Sequence, residues 1–146
     1  MNTNSPNSDG TSKSAESEPF NAIMLSVSLT VKDLSKSLAW YNEVLGLTID
    51  RKIEREGKLR AVSLKAGNVR ISINQDDGAK GWTRIKGEGF SLNITTDQNI
   101  DKVANRIKEH GGTLDTEPAD MPWGVRLFRL KDPDGYKLAI SSPRPA

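Results

Sequence analysis

The chain has 146 residues, a formal net charge of +2 and no cysteine. This length suits one domain, or two small modules that share a core. The lack of cysteine excludes disulfides, thiolate metal sites and cysteine nucleophiles, and it agrees with the cytoplasmic location that we expect. The charge is too small to predict a nucleic-acid-binding surface, so we expect no nucleic-acid partner.

Residues 1–21 are rich in serine, asparagine and threonine. Such a composition buries too little apolar area to offset chain entropy, so this segment is predicted to be a disordered N-terminal tail. No apolar stretch follows a basic start, which argues against a secretory signal. No apolar run reaches the roughly 18 residues of a membrane span, so we expect no membrane association.

Beyond the tail, the sequence repeats itself. The stretch "LTVKDLSKSLAWYNEVLGLTID" (29–50) is similar to "NITTDQNIDKVANRIKEHGGTLD" (93–115), and each has the order strand, Asp, helix, Gly, strand. Asp33 and Asp97 are predicted to cap the two helices, and Gly111 to end the second helix in a left-handed conformation. A repeat of this kind predicts two modules of one architecture.

In the first module, "LSVSLTV" (25–31) alternates strictly between apolar and polar residues, as a strand with one buried face does. The helix that follows has an apolar stripe, and further strands are predicted near 47–54, 58–65 and 69–74. The apolar face of the first strand carries Leu25, Val27, Leu29 and Val31, and the helix stripe carries Leu34, Leu38, Tyr41 and Leu45.

In the second module, a strand is predicted near 90–96 and a helix near 98–110, with Ile100, Val103 and Ile107 on its buried side. Strands near 114–118, 125–131 and 136–141 complete it. The polar, glycine-bearing stretch 75–88 connects the modules. Asp132 and Asp134 lie in "DPDG", where we expect them to bond to the backbone of a turn.

Two βαβββ units, with "VKDLSKSLAWYNEVLGL" (31–47) in the first and "PWGVRLFRLKDPDGYKL" (122–138) in the second, resemble the vicinal oxygen chelate (VOC) superfamily. This superfamily includes glyoxalases, extradiol dioxygenases and bleomycin-binding proteins. The resemblance covers about residues 22–142. It implies an α+β fold in which two modules (about 22–74 and 89–142, with the linker 75–88) form a curved mixed sheet around a cup, with helices outside. It is specific for the fold and weak for the activity.

The resemblance also implies where a metal would lie, because metal-dependent members draw His and Glu ligands from four strands that line the cup. The most similar positions here are Ser26, either Arg70 or Ser72, Ser91 and Ala139. None is a good ligand for a divalent cation. We therefore expect no metal and no other cofactor. The alternative is that the strand registers differ by one residue from those assumed here and that a metal site survives. This alternative is disfavoured, because such a shift would turn apolar side chains into the cup.

The polar strand faces instead predict a site for a small planar or anionic molecule, with Trp123 stacking at the rim. Trp40 is predicted to lie in the core, and Trp82 either covers the cup as a lid or packs on a neighbour. The single histidine, His110, is expected at a helix end. No catalytic residue is assigned. The predicted ligand-binding set is Ser26, Ser28, Arg70, Ser72, Asn74, Ser91, Asn93, Trp123, Lys137 and Ala139.

Three functions remain open at this point. The favoured hypothesis is a metal-free VOC-fold protein that binds a small molecule and is not an enzyme. The alternatives are a metal-dependent glyoxalase-like lyase or dioxygenase, and a structural or regulatory subunit with a vestigial cup. A homodimer is expected in each case, because an open βαβββ half exposes sheet edges.

Overall fold

The computed structural model describes residues 17–144, so positions 1–16 of the predicted tail lie outside the described residues. Two modules follow each other with the same order of elements. The first contains β1 (Ser26–Val31), α1 (Leu34–Ala39) with a π-helical segment (Trp40–Val44), β2 (Thr48–Arg55), β3 (Lys58–Ala66) and β4 (Val69–Gln75). The second contains β5 (Ser91–Thr95), α2 (Ile100–Glu109), β6 (Leu114–Asp120), β7 (Val125–Lys131) and β8 (Lys137–Pro143).

Each module forms one four-stranded sheet, with the strand orders β1-β4-β3-β2 and β5-β8-β7-β6. In both sheets the first strand pairs with the last in parallel, and the remaining pairs are antiparallel. The predicted repeat and the α+β class with two βαβββ modules are therefore confirmed. The strands are divided between two sheets, and β1 and β5 each lie at a sheet edge.

The two helices begin in the same way, although one predicted cap was wrong. Asp33 caps α1, and its Oδ1 accepts a hydrogen bond from the backbone N–H of Lys36 at 3.2 Å. Asn99, not Asp97, caps α2, with Oδ1 accepting from the N–H of Lys102 at 3.0 Å. Asp97 lies too far before the first helical residue for its side chain to reach the free N–H groups of the first turn.

The first helix widens after Ala39, where the N–H of Leu45 bonds to the carbonyl oxygen of Trp40, five residues earlier, at 2.8 Å. The apolar periodicity of the sequence did not predict this π-helical segment. At the end of α2, Gly111 has a φ of 92°, so its predicted left-handed conformation is confirmed. No helix among residues 17–144 is long and apolar enough to cross a membrane.

One apolar cluster joins the two modules and contains the predicted stripes of both helices. Trp40 packs against it half-buried, and Ala104 joins Ile107 on the buried side of α2. Leu25 does not belong to it. This residue precedes β1 and is 87% exposed, so the buried face of β1 begins only at Val27. The fully buried centre includes Val31, Tyr41, Val62, Leu64, Ile73, Ile107 and Phe128.

Two tyrosine hydroxyls link the modules across this core. The Tyr41 hydroxyl donates to Asp132 Oδ2 at 2.7 Å, and the Tyr136 hydroxyl donates to the carbonyl oxygen of Thr30 at 2.8 Å. Burial raises the pKa of Asp132, although the hydrogen bond from Tyr41 opposes this rise. Burial and the charge of Asp132 together raise the pKa of Tyr41. Neither link has a local sequence signal.

Tyr41→Phe is expected to destabilise the protein by about 1–3 kcal/mol, because it leaves a buried carboxylate oxygen without a donor. This corresponds to a fall in Tm of roughly 3–10 °C. Tyr136→Phe is the matched control. It removes a hydroxyl bound to a neutral carbonyl, and should cost about 0.5–1.5 kcal/mol. Calorimetric melting of both variants tests whether Tyr41→Phe loses more stability than Tyr136→Phe. Equal losses of stability would contradict the role given to Asp132.

Candidate functional site

Each sheet has one face in the core and one face, here called the open face, that carries polar side chains. On the first sheet, pairing places Ser26 beside Arg70 and Ser28 beside Ser72. Asn74 lies in the next row, and its Nδ2 donates to Ser28 Oγ at 2.7 Å. These five predicted residues therefore share one face of the first sheet.

The second sheet places its predicted residues in equivalent rows. Ser91 pairs with Lys137, and Asn93 pairs with Ala139. Ala139 is only 7% exposed, because it lies in the central strand β8 between Asn93 and Arg129. A ligand on this face would therefore reach little of Ala139 itself, and its polar contacts would come from the neighbouring side chains.

A row of the same composition crosses both open faces. In the first sheet the row is Ser26, Arg70 and Lys65. In the second sheet it is Ser91, Lys137 and Lys131. Each row thus contains a hydroxyl on the edge strand, a cation on the next strand and a lysine on the third.

The third member of each row is neutralised and the second is not. Lys65 pairs with Asp50 at 3.4 Å, and Lys131 pairs with Asp115 at 2.8 Å. Within residues 17–144, neither Arg70 nor Lys137 forms an ion pair. The two rows therefore each present one uncompensated positive charge beside a serine hydroxyl.

A cavity of about 660 Å³, here called the edge groove, combines residues of both sheets. Arg70 contributes from β4, while Ser91 and Asn93 contribute from β5, and Ile23 and Leu92 are among its apolar lining. The groove thus brings together three members of the predicted ligand-binding set. The remaining members do not line it.

The three tryptophans lie in different places. Trp40 is part of the core boundary. Trp123 is 65% exposed in the turn between β6 and β7. Trp82 is 49% exposed, and it lines a second cavity of about 610 Å³, here called the junction cleft, together with Lys32 and Arg84. None of the three lines the edge groove, so Trp82 is not a lid over that groove.

The turn and helix-end residues occupy the structural places predicted for them. Asp132 Oδ1 accepts hydrogen bonds from the N–H groups of Asp134 and Tyr136 at 2.9 and 2.8 Å. His110 ends α2, with Nδ1 2.9 Å from the carbonyl oxygen of Arg106. These contacts account for both side chains without a catalytic role.

Sequence reasoning missed a buried charged group beside the junction cleft. Lys86 Nζ lies 3.2 Å from Asp76 Oδ2 and 3.6 Å from Asp134 Oδ2, and each of these side chains is at most 6% exposed. The N–H of Gly78 holds the pKa of Asp76 below its usual range, and the nearby Lys86 and Arg84 also lower it. A lysine in a polar loop gives no sequence signal of burial.

The sequence model of the Glyoxalase/Bleomycin resistance protein/Dioxygenase superfamily matches residues 23–140. The chain therefore belongs to this superfamily, as its two βαβββ modules indicated. It is 28% identical over 123 residues to a probable lactoylglutathione lyase from Synechocystis sp., covering 80% of this chain and 92% of that one. It is 26% identical to the lactoylglutathione lyase of Salmonella typhimurium, covering 84% of this chain and 94% of the relative.

Solved structures agree on the fold. A superfamily member from Sphaerobacter thermophilus superposes with a TM-score of 0.67 at 23% identity, covering 84% of this chain and 98% of the other. TioX from Micromonospora sp. ML1 gives a TM-score of 0.66 at 17% identity, with 84% and 100% coverage. At these identities the likeness establishes the architecture alone.

The residues that the resemblance assigns to the family's metal positions do not fit a divalent cation. They supply the hydroxyls of Ser26 and Ser91, the methyl group of Ala139, and either the Arg70 guanidinium or the hydroxyl of Ser72. A guanidinium repels a cation and neutral hydroxyls are weak donors, whereas such sites use carboxylate, imidazole or thiolate groups. Among residues 17–144, no group of three or more His, Asp or Glu side chains is placed to hold a metal ion.

Proposed function

We propose that this chain is a VOC-fold binding protein that holds a small anionic molecule on its open faces, without a metal. The observation that carries this proposal is the repeated row, in which Arg70 stands beside Ser26 and Lys137 stands beside Ser91. Both cations lack an acidic partner among residues 17–144, so each is available to a carboxylate or phosphate.

The edge groove supports the same conclusion. Its polar members, Arg70, Ser91 and Asn93, offer a charged donor, a hydroxyl and an amide within one cavity. Its apolar wall suits the hydrocarbon part of a small ligand, since binding cavities combine apolar lining with a few placed polar groups. A planar anion meets both requirements.

A second candidate is lactoylglutathione lyase activity, which the names of the relatives favour. Those relatives are similar along nearly their whole length, so domain architecture does not separate the two functions. The residues at the expected metal positions separate the two functions, because Ser26, Ser91 and Ala139 cannot replace the ligands of a metal-dependent lyase. We therefore place this activity second.

Arg70→Ala is expected to weaken binding of a small anion by about one to two orders of magnitude, because a charge-assisted hydrogen bond is lost. The ligand for this test is the aromatic carboxylate or phosphate that raises the Tm most in a thermal-shift panel. Arg55→Ala, at the exposed end of β2, is the control. Titration calorimetry of both variants gives the result. Unchanged affinity in Arg70→Ala would contradict the proposed pocket.

We also propose that the chain forms a homodimer. The edge strands β1 and β5 each have one unpaired side within the described part of the chain. Beside β1, Ile23, Met24 and Leu25 are 57–102% exposed, a combination that favours association. Light scattering is expected to give twice the chain mass across micromolar concentrations, and a single species of the monomer's mass would contradict the proposal.

A further inference from the structure

The junction cleft is a second cavity, and it shares no lining residue with the edge groove. It lies where the chain from β1 to α1 meets the loop after β4 and the turn before β8. The inter-module linker supplies Trp82, Thr83, Arg84 and Lys86 to its lining. Residues from three separate parts of the sequence therefore form one cavity of about 610 Å³.

The acidic side chains of this cleft have internal hydrogen-bond partners, whereas two of its lysines have no acidic partner. Its two acids are used internally, since Asp33 caps α1 and Asp134 Oδ2 accepts from the N–H of Lys32 at 2.8 Å. The ammonium groups of Lys32 and Lys36 have no ion-pair partner among residues 17–144. The cleft thus keeps free positive charge although acids are present.

Arg84 adds a partly free guanidinium. Its Nε lies 3.5 Å from Asp76 Oδ2, and its side chain is 35% exposed. Its terminal nitrogens donate no hydrogen bond to another group within the described residues. Beneath it, the buried ammonium of Lys86 is held between Asp76 and Asp134. An anion entering the cleft would meet donors that are already desolvated on one side.

The aromatic member of the cleft is held in place by the loop. The indole of Trp82 packs so closely on Gly78 that a Cβ at that position would collide with the ring. The loop around Gly78 is closed by its N–H bond to Asp76 Oδ1 at 2.9 Å. Trp82 has no aromatic partner in residues 17–144, so one side of a fixed indole is available for stacking.

We propose that the junction cleft is a binding site for an aromatic anion, a planar ring that carries a phosphate or a carboxylate. The ring stacks on Trp82, and the anionic group binds Lys36 and Arg84. Both a nucleoside monophosphate and an aromatic carboxylate have this chemistry. The site is separate from the open faces and does not depend on what they bind.

Nuclear magnetic resonance of the full-length, ¹⁵N-labelled chain tests the proposal, because each tryptophan indole N–H gives its own signal. Trp82→Phe assigns the signal of Trp82. Adenosine monophosphate, 1-naphthoate and inorganic phosphate are the three titrants. We expect the Trp82 signal to shift saturably with at least one of the two aromatic titrants, and the Trp123 signal to stay fixed in that titration. The titrant that binds identifies the anionic group.

Lys36→Gln is expected to raise the Kd of the bound aromatic anion roughly tenfold, since it removes one charged contact. Lys102→Gln is the matched control, because Lys102 occupies the same position after the cap of α2 and should leave the Kd unchanged. In Trp82→Ala, binding is followed through the backbone N–H signal of Thr83. This variant should bind the aromatic titrant more weakly and should bind phosphate as the parent does.

Three results would overturn the proposal. The first is no saturable shift of the Trp82 signal up to about 10 mM of either aromatic titrant. The second is equal affinity for inorganic phosphate, which would leave the ring without a role. The third is a saturable shift of the Trp123 signal in place of the Trp82 signal, which would locate the ligand away from the junction cleft.

Discussion

Purified protein is expected to retain no divalent transition metal after dialysis and to show no lactoylglutathione lyase activity above the uncatalysed rate. The reason is the donor set of Ser26, Ser91 and Ala139, which cannot hold the ion in a defined position. A metal acting as a Lewis acid stabilises a transition state by several kcal/mol, so its loss removes at least about three orders of magnitude in rate. Elemental analysis and a lyase assay with added Zn²⁺, Ni²⁺, Mn²⁺ or Fe²⁺ measure both quantities.

The Salmonella typhimurium lactoylglutathione lyase, assayed beside this chain with the same metals, is the positive control. Ala139→Glu is the informative variant. Ala139 lies between Asn93 and Arg129, so the new carboxylate is expected to pair with Arg129 and to restore no metal. Near-stoichiometric metal in the parent protein, together with lyase turnover, would contradict the metal-free binding function and support lactoylglutathione lyase activity.

The elements that the sequence predicted well are those with a local signal. Strict alternation located β1, and the apolar stripe located α1 and α2, because burial of one face imposes a period on the chain. The repeat then predicted two modules with the same order of elements, since two similar stretches fold alike. The same alternation predicts that Ser26 and Ser28 lie on the face opposite Leu29 and Val31.

The wrong predictions, of a helix cap and of the start of β1, fall where local sequence preference and tertiary packing favour different structures. Asp97 and Asn99 are both good caps, and the sequence pattern alone could not decide between them. Leu25 continues the alternation of β1, yet it lies outside the strand and away from the core. The repeat was the source of the Asp97 error, because the second module does not keep the spacing of the first.

Contacts between the modules could not be predicted at all. The link from Tyr41 to Asp132 joins residues 91 positions apart, and both had plausible local roles, one in a helix stripe and one in a turn. The junction cleft is likewise formed only by tertiary structure, because its cations come from α1, from the residues just before it and from the linker. Neither site has a motif, and each depends on how the two modules pack.

Lys86→Met is expected to lower the Tm by about 10 °C or more, the largest loss of stability among the substitutions considered. The change keeps the apolar stem and removes the charge, which leaves the carboxylates of Asp76 and Asp134 buried with less compensation. Asp76 Oδ2 has no hydrogen bond of standard geometry among the described residues, so the ammonium 3.2 Å away is its main support. Lys80→Met, in the same loop but exposed, is the control and should change the Tm little.

The pH dependence of this loss separates charge from packing. The folded-state pKa of Asp76 is lowered, by the N–H of Gly78 and then by Lys86 and Arg84. A lowered carboxyl pKa contributes stability that is present above the unfolded value of about 3.9 and is lost as the pH falls through the folded value. Removing Lys86 raises that folded pKa, so the Tm gap between parent and variant should be widest near neutral pH and narrow as the pH falls through the region around 3.9. A gap that stays constant from neutral to acid pH, or one no larger than that of Lys80→Met, would show that Lys86 acts through its hydrocarbon stem and not through its charge.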